Sequence, residues 1–145
     1  MKALIQRVKR ASVTIDGEVY SKIGHGLLVF LGVEKGDERS NAENLAEKLV
    51  KLRVFEDENE KMNYSILDVS GEMLIVSQFT LCGDCKKGTR PSFDKSAPPD
   101  IANELYEYFV TQIKTLNVPS QTGKFAAMMD VELINDGPVT FMVEK

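Results

Sequence analysis

The side chains on which most enzymatic chemistry is built are scarce in this chain. It has one histidine, His25, and two cysteines, Cys82 and Cys85. A Ser-His or Cys-His catalytic pair would therefore have to use His25. His25 lies between two glycines in "IGHGLL", just before a strand-like run, and reads as a surface turn residue. The cysteines form one C-x-x-C pair in "LCGDCKKG". A tetrahedral zinc site would need a second pair, carboxylates or another chain to complete it, so no metal is expected. A redox dithiol favours a helix N-terminus, where the thiolate is stabilised. Here "KKGTRPSF" follows and reads as loop, so the thiols read as incidental. P-loop and dinucleotide fingerprints are missing as well, and no cofactor is expected.

Long hydrophobic runs are also lacking. No stretch approaches the ~18–20 apolar residues of a membrane helix. The opening "MKALIQRVKRASVTIDG" alternates and carries charge throughout, unlike the apolar block of a signal peptide. The default expectation is a cytoplasmic protein with no membrane partner. Repeats, linkers and low-complexity segments are absent, and 145 residues suit one domain spanning 1–145. The net charge of -4 argues against a general polyanion binder, which neutralises phosphates with Lys and Arg. It leaves room for a local basic patch.

What is present is an ordinary globular pattern, 43% hydrophobic and 28% charged. "ALIQRVKRASVTIDG" alternates at period two, with Leu4, Gln6 and Val8 on one face. Asp16-Gly17 suits a two-residue hairpin turn. "GLLVFLGV" and "EMLIVSQFTL" read as strands buried on both faces. Ala42, Leu45, Ala46, Leu49 and Leu52 recur at helical spacing, with Ser40 or Asn41 as cap. A second helix begins near Pro98 or Pro99, with Ile101, Leu105, Phe109, Ile113 and Leu116 as its stripe. "KFAAMMDVELIND" and "PVTFMVEK" read as the last strands, with the Gly137-Pro138 corner between them. The predicted order is β-β-β-α-β-β-α-β-β. This is a single mixed α/β domain, its mixed sheet forming a barrel-like core with two amphipathic helices packed on one side.

The remaining chemistry sits at strand ends. "SQFT", residues 77–80, ends a buried strand with polar groups, where side chains and freed backbone N–H groups can reach a ligand. Lys86, Lys87 and Arg90 follow in a long loop, placed to grip phosphates. Long loops without structure of their own tend to be functional in compact domains.

"IQRVKRASVTIDGE", "IGHGLLVFLGV", "LRVFEDENEKMN", "SQFTL", "KKGTRPSF" and "NDGPVT" occur in this order, and the chain resembles the D-aminoacyl-tRNA deacylase family along its whole length. "SQFTL" and N-x-G-P-V-T are that family's two signature motifs. The resemblance implies a homodimeric enzyme that hydrolyses the ester joining a D-amino acid to the 3′ end of tRNA. By the same resemblance, Ser77, Gln78, Phe79 and Thr80 line the site. Gly137 and Pro138, joined by a cis bond, complete the site of the partner subunit. Arg7 holds that motif, and Phe125 stacks on the terminal adenine. The chain departs from the family pattern at Cys82 and Cys85, where Tyr and Thr are common. It also departs at Ala126, often Gly, and at His25, often Pro.

An activated ester needs modest catalysis. Backbone N–H groups at Phe79 and Thr80 suit an oxyanion, and the ribose 2′-hydroxyl can assist where no side-chain base exists. Thr80 reads as a positioning residue, with the nucleophile as its alternative. Selection of the D form then works by a main-chain wall that rejects L side chains. The competing readings are a non-catalytic tRNA-binding module using the basic loop and Phe125, and a redox protein using the dithiol.

Overall fold

The chain begins with one long strand that organises everything after it. β1 (Lys2–Ile15) turns through Asp16 and Gly17 into β2 (Glu18–Ile23). Both turn residues have positive φ, 51° and 79°, as a tight hairpin of this hand requires. β3 (Gly26–Gly32) then returns along β1. α1 (Arg39–Lys51), β4 (Phe55–Glu56) and β5 (Met62–Tyr64) lead to β6 (Glu72–Ser77). A 3-10 turn at Phe79–Cys82 and a loop precede α2 (Pro99–Thr115), β7 (Ser120–Thr122) and β8 (Asp130–Glu144). This computed structural model describes residues Met1–Lys145.

β2, β1, β3, β6 and β7 lie side by side, and β8 covers the other edge of β1. β3, β6 and β7 are mutually parallel neighbours. Two successive crossovers in the same direction place both helices on the same face when each is right-handed, and α1 and α2 share one core. The sheet curls until its ends meet, and Ser21 of β2 donates to the Thr122 carbonyl of β7 at 2.8 Å. The result is the nearly closed, barrel-like mixed α/β domain with two helices that the residue pattern predicts.

Both faces of the central strands are buried, which accounts for their unbroken apolar runs. Leu27, Val29 and Leu31 of β3, with Met73 and Ile75 of β6, face the helices. Leu28, Leu74 and Val76 face a second, smaller core inside the curl, with Val8, Ala11 and Val13 of β1. Ala3 and Ile5 face the helices but Ala11 and Val13 do not. β1 changes face because it bulges: Val8 faces Asn135 while Arg10 faces Ile134, one residue too many for regular pairing.

Four expectations need correction. The cap of α1 is Glu38, whose N–H donates to the Asn41 side chain at 2.8 Å, so Asn41 serves from inside the first turn. Ile101 is exposed, and the α2 stripe runs through Ala102, Leu105, Tyr106, Phe109, Val110 and Ile113. β6 stops at Ser77, and Phe79–Cys82 turn into the 3-10 helix instead of extending it. The Gly137-Pro138 corner lies within β8 and does not separate two strands.

Gly26 shows how closely β3 and β6 pack. A methyl there would stand 1.8 Å from the Glu72 carbonyl oxygen and 2.7 Å from its nitrogen. Gly26→Ala must push these central strands away from each other, and it should cost about 2–3 kcal/mol, read as a lower urea midpoint at unchanged slope.

Candidate active site

Three polar groups gather at the carboxyl ends of β6 and β7, where ligands bind in open α/β sheets. The first is the turn that follows β6. Gln78 N–H bonds to the Leu31 carbonyl at 2.8 Å, which ends the ladder. Leu81 and Gly83 then donate back to Gln78 and Thr80 at 3.2 and 3.0 Å. The N–H groups of Phe79 and Thr80 are the first two of the 3-10 turn, a position with no partner inside the turn itself. Gln78 Nε2 donates to Thr80 Oγ1. Ser77 and Gln78 are half-buried, Phe79 and Thr80 exposed. The turn packs on Gly32, where a Cβ would meet Cys82 Sγ at 3.1 Å.

The second group is the basic loop. Asp84 and Ser92 exchange two backbone hydrogen bonds, at 2.8 and 3.0 Å, and so close its neck. Lys86, Lys87 and Arg90 occupy the exposed tip. Phe93, just past the neck, packs edge-on against Phe79 with centroids 5.1 Å apart, tying the loop to the turn.

The third group follows β7. Gly123 N–H bonds to the Ile75 carbonyl at 3.0 Å. Phe125, two residues on, is half-buried and 6.1 Å from the Tyr106 ring. Both aromatics border a cavity of about 450 Å³ that Lys114, Lys124 and Tyr20 also line. Tyr106 donates to the Ile75 carbonyl at 2.8 Å, and burial pushes its pKa up. Ala126 has φ 59°, a left-handed conformation that suits glycine better.

Cys82 is buried, its Sγ against the Val33 carbonyl, and burial raises its pKa. Cys85 is exposed. A raised thiol pKa is the reverse of what a redox or nucleophilic cysteine needs.

Gly137 and Pro138 are elsewhere. Gln6 faces Thr140 and Val8 faces Asn135. Two steps along β1 match five along β8, so three residues (five less two) bulge out of the ladder. The Gly137–Pro138 bond in this bulge is cis, and both residues are exposed. Arg7, only 3% exposed, reaches the bulge from below. Its Nε donates to the Asp136 carbonyl at 3.0 Å and lies 3.1 Å from Asp136 Oδ2. Nη1 donates to the Val54 carbonyl at 2.7 Å, and Nη2 to Glu56 Oε1 at 3.3 Å. His25 is half-exposed, its Nε2 3.9 Å from Asp136 Oδ2 and its ring edge-on to Phe55.

Sequence reasoning gave Asn135 no role beyond its place in the N-x-G-P-V-T motif and missed Asp136, Val54 and Glu56, which surround the bulge. The polar pair before Gly-Pro was its only local signal.

The family model for D-Tyr-tRNA(Tyr) deacylase matches residues 4–144. A D-aminoacyl-tRNA deacylase of Thermosipho africanus (strain TCF52B) is 57% identical over 144 residues, covering 99% of this chain and 97% of that protein. A solved structure called c-Myc DNA Unwinding Element Binding Protein is similar at TM-score 0.95 and 43% identity, over 100% of this chain and 99% of that one. Another, described as "a probable eukaryotic D-amino acid tRNA deacylase", shares the fold at TM-score 0.83 and 16% identity, over 99% and 98% of the two chains.

Two outcomes test this geometry. Iodoacetamide should label Cys85 and spare Cys82 in the folded protein, and label both after unfolding, as read by mass spectrometry. Arg7→Lys keeps the charge but loses the fork that serves Val54, Asp136 and Glu56 together. It should destabilise by about 2 kcal/mol in urea titrations.

Proposed function

Because the chain belongs to the D-Tyr-tRNA(Tyr) deacylase family and has its D-aminoacyl-tRNA deacylase activity, a hydrolase activity, we propose the following. It cleaves the ester between a D-amino acid and the 3′-terminal ribose of tRNA, as a homodimer. Each site combines residues 77–80 of one protomer with Gly137 and Pro138 of the other. The observation that carries this reading is a separation. Val8 pairs with both Gly26 and Asn135, so the bulge stands beside the start of β3. Ser77 pairs with Leu31 at the end of β3. The five steps from Gly26 to Leu31 rise ~16 Å. Bulge and turn thus lie at opposite ends of one sheet, and a pocket holding both draws on a second copy. Leu4, Phe30 and Met142 share one sheet face by register, with Met142 48% exposed. Such an apolar stripe suits a partner surface.

In that pocket the N–H groups of Phe79 and Thr80, at the start of the 3-10 turn, stabilise the oxyanion formed as water attacks the ester carbonyl. One such donor is worth roughly 3 kcal/mol. The ribose oxygen departs, and the neighbouring 2′-hydroxyl assists the proton transfer. Thr80 Oγ1 already accepts from Gln78, which lowers its nucleophilicity and leaves its proton free to donate. It therefore positions the substrate. Phe125 stacks on the terminal adenine, and Lys86, Lys87 and Arg90 hold phosphates. The partner's main-chain wall excludes an L side chain, while its carbonyls accept from the α-ammonium. Glycine has nothing to exclude and passes. The role is proofreading of mischarged tRNA in the cytoplasm. No helix here is long and apolar enough to cross a membrane.

The enzyme should release D-tyrosine and glycine from their tRNAs and leave L-tyrosyl-tRNA intact, followed with labelled amino acids. Binding of tRNA without any release would favour the non-catalytic module. Loss of release on changing both Cys82 and Cys85 to Ser would favour the dithiol. Met142→Asp should give monomers by light scattering and abolish cleavage; a fully active monomer would refute the shared pocket.

A further inference from the structure

One amide side chain closes the bulge of β8. Asn135 is the last residue paired before the bulge, opposite Val8. Its Nδ2 donates to the Arg7 carbonyl on β1 at 3.0 Å and to the Val139 carbonyl at the far foot of the bulge, also at 3.0 Å. Only the amide nitrogen can serve two carbonyls, since it carries two protons and the oxygen none. That assignment turns Oδ1 toward the tip. A Cβ built on Gly137 would lie 2.5 Å from Asn135 Oδ1, closer than real contacts allow. Gly137 has no positive φ, so glycine here answers to the Asn135 amide and not to a left-handed backbone.

The links form a circuit. The Arg7 side chain fixes the Asp136 carbonyl and carboxylate, the Arg7 carbonyl fixes Asn135, and Asn135 fixes Val139. Arg7 anchors only the near side of the bulge. The Asn135 side chain ties the near foot to the far one and rests against Gly137 between them.

We propose that Asn135 is a positioning residue for chiral selection, a staple that holds Gly137 and Pro138 rigid enough to turn away L-aminoacyl esters. This rests on the reading of those two residues as the wall of a partner's pocket. Asn135 touches no substrate in this role. It acts through the main chain it closes, so its loss shows in selectivity more than in stability.

Asn135→Asp is nearly isosteric but sets an oxygen against two carbonyl oxygens. Hydrolysis of D- and L-tyrosyl-tRNA is measured in parallel with thermal melting. The expected result is a folded variant whose ratio of L to D cleavage rises about tenfold or more, equivalent to ~1.4 kcal/mol. A folded variant with the wild-type ratio overturns the proposal. A second measurement needs no variant: hydrogen exchange of the Asn135 side-chain amide in the wild-type protein, by NMR. Exchange well slower than at Asn59, which is exposed as Asn135 is, supports the staple, and equal exchange overturns it. Wild-type protein that leaves D-tyrosyl-tRNA uncleaved sinks the functional reading instead, and the amide exchange then judges the staple alone.

Discussion

Arg7 is the constraint around which the sheet edge is arranged. Its position on β1 belongs to the helix-facing set that includes Ala3 and Ile5, so the strand delivers a guanidinium to the margin of the core. A buried cation costs several kcal/mol unless its donors are matched. Here the match comes from three places: the Val54 carbonyl after α1, Glu56 in β4, and Asp136 in β8. Segments far apart in the chain are thereby held to one point. The bulge cannot flatten into regular pairing without withdrawing the Asp136 carbonyl from a buried charge. A strand-edge irregularity that would otherwise be soft is made stiff by the cost of leaving that charge unmatched.

The parallel order β3-β6-β7 gives the sheet a polarity. At its carboxyl end are the 3-10 turn, the basic loop and Phe125. At the other are Arg7, His25, Asp136 and the bulge. On the proposed reading one end does the chemistry and the other inspects handedness, and one chain cannot bring its own two ends together. Two copies in mutual exchange can, with each end used once per site.

How much of this is legible in the sequence depends on how local the cause is. The Asp16-Gly17 turn needs positive φ at both positions, and two adjacent residues announce it. The α1 stripe, Ala42 to Leu49, is a period within one element. The two buried strands are apolar on both faces because two cores flank them, and the unbroken runs say so. Ile101 departs from its expected place because the apolar stripe of α2 runs one residue further along its first turn, a matter of where α1 lies. A bulge and a corner between strands look alike in "NDGPVT", and only pairing with β1 on both sides tells them apart. That pairing joins opposite ends of the chain, and the staple at Asn135 joins residues 128 apart. The turn at Phe79 is hidden because "SQFTL" continues an apolar strand, while what ends the strand is the bonding of Leu81 and Gly83 back onto the Gln78 and Thr80 carbonyls.

The poverty of catalytic side chains then has a physical explanation. A general base, a nucleophile and a metal each act by lowering the barrier of a difficult step, and an aminoacyl ester is already activated. What such an enzyme must supply instead is discrimination, because L-aminoacyl esters have the same carbonyl and the same leaving group. A flexible side chain is a poor judge of two mirror-image substrates, since it can rotate away at a cost of about 1 kcal/mol. Main chain held at both feet cannot. On the proposed reading the residues that matter most are those that fix backbone: a buried arginine, an amide bridging two carbonyls, a glycine that makes room for that amide. None of them would stand out in a search for nucleophiles and bases.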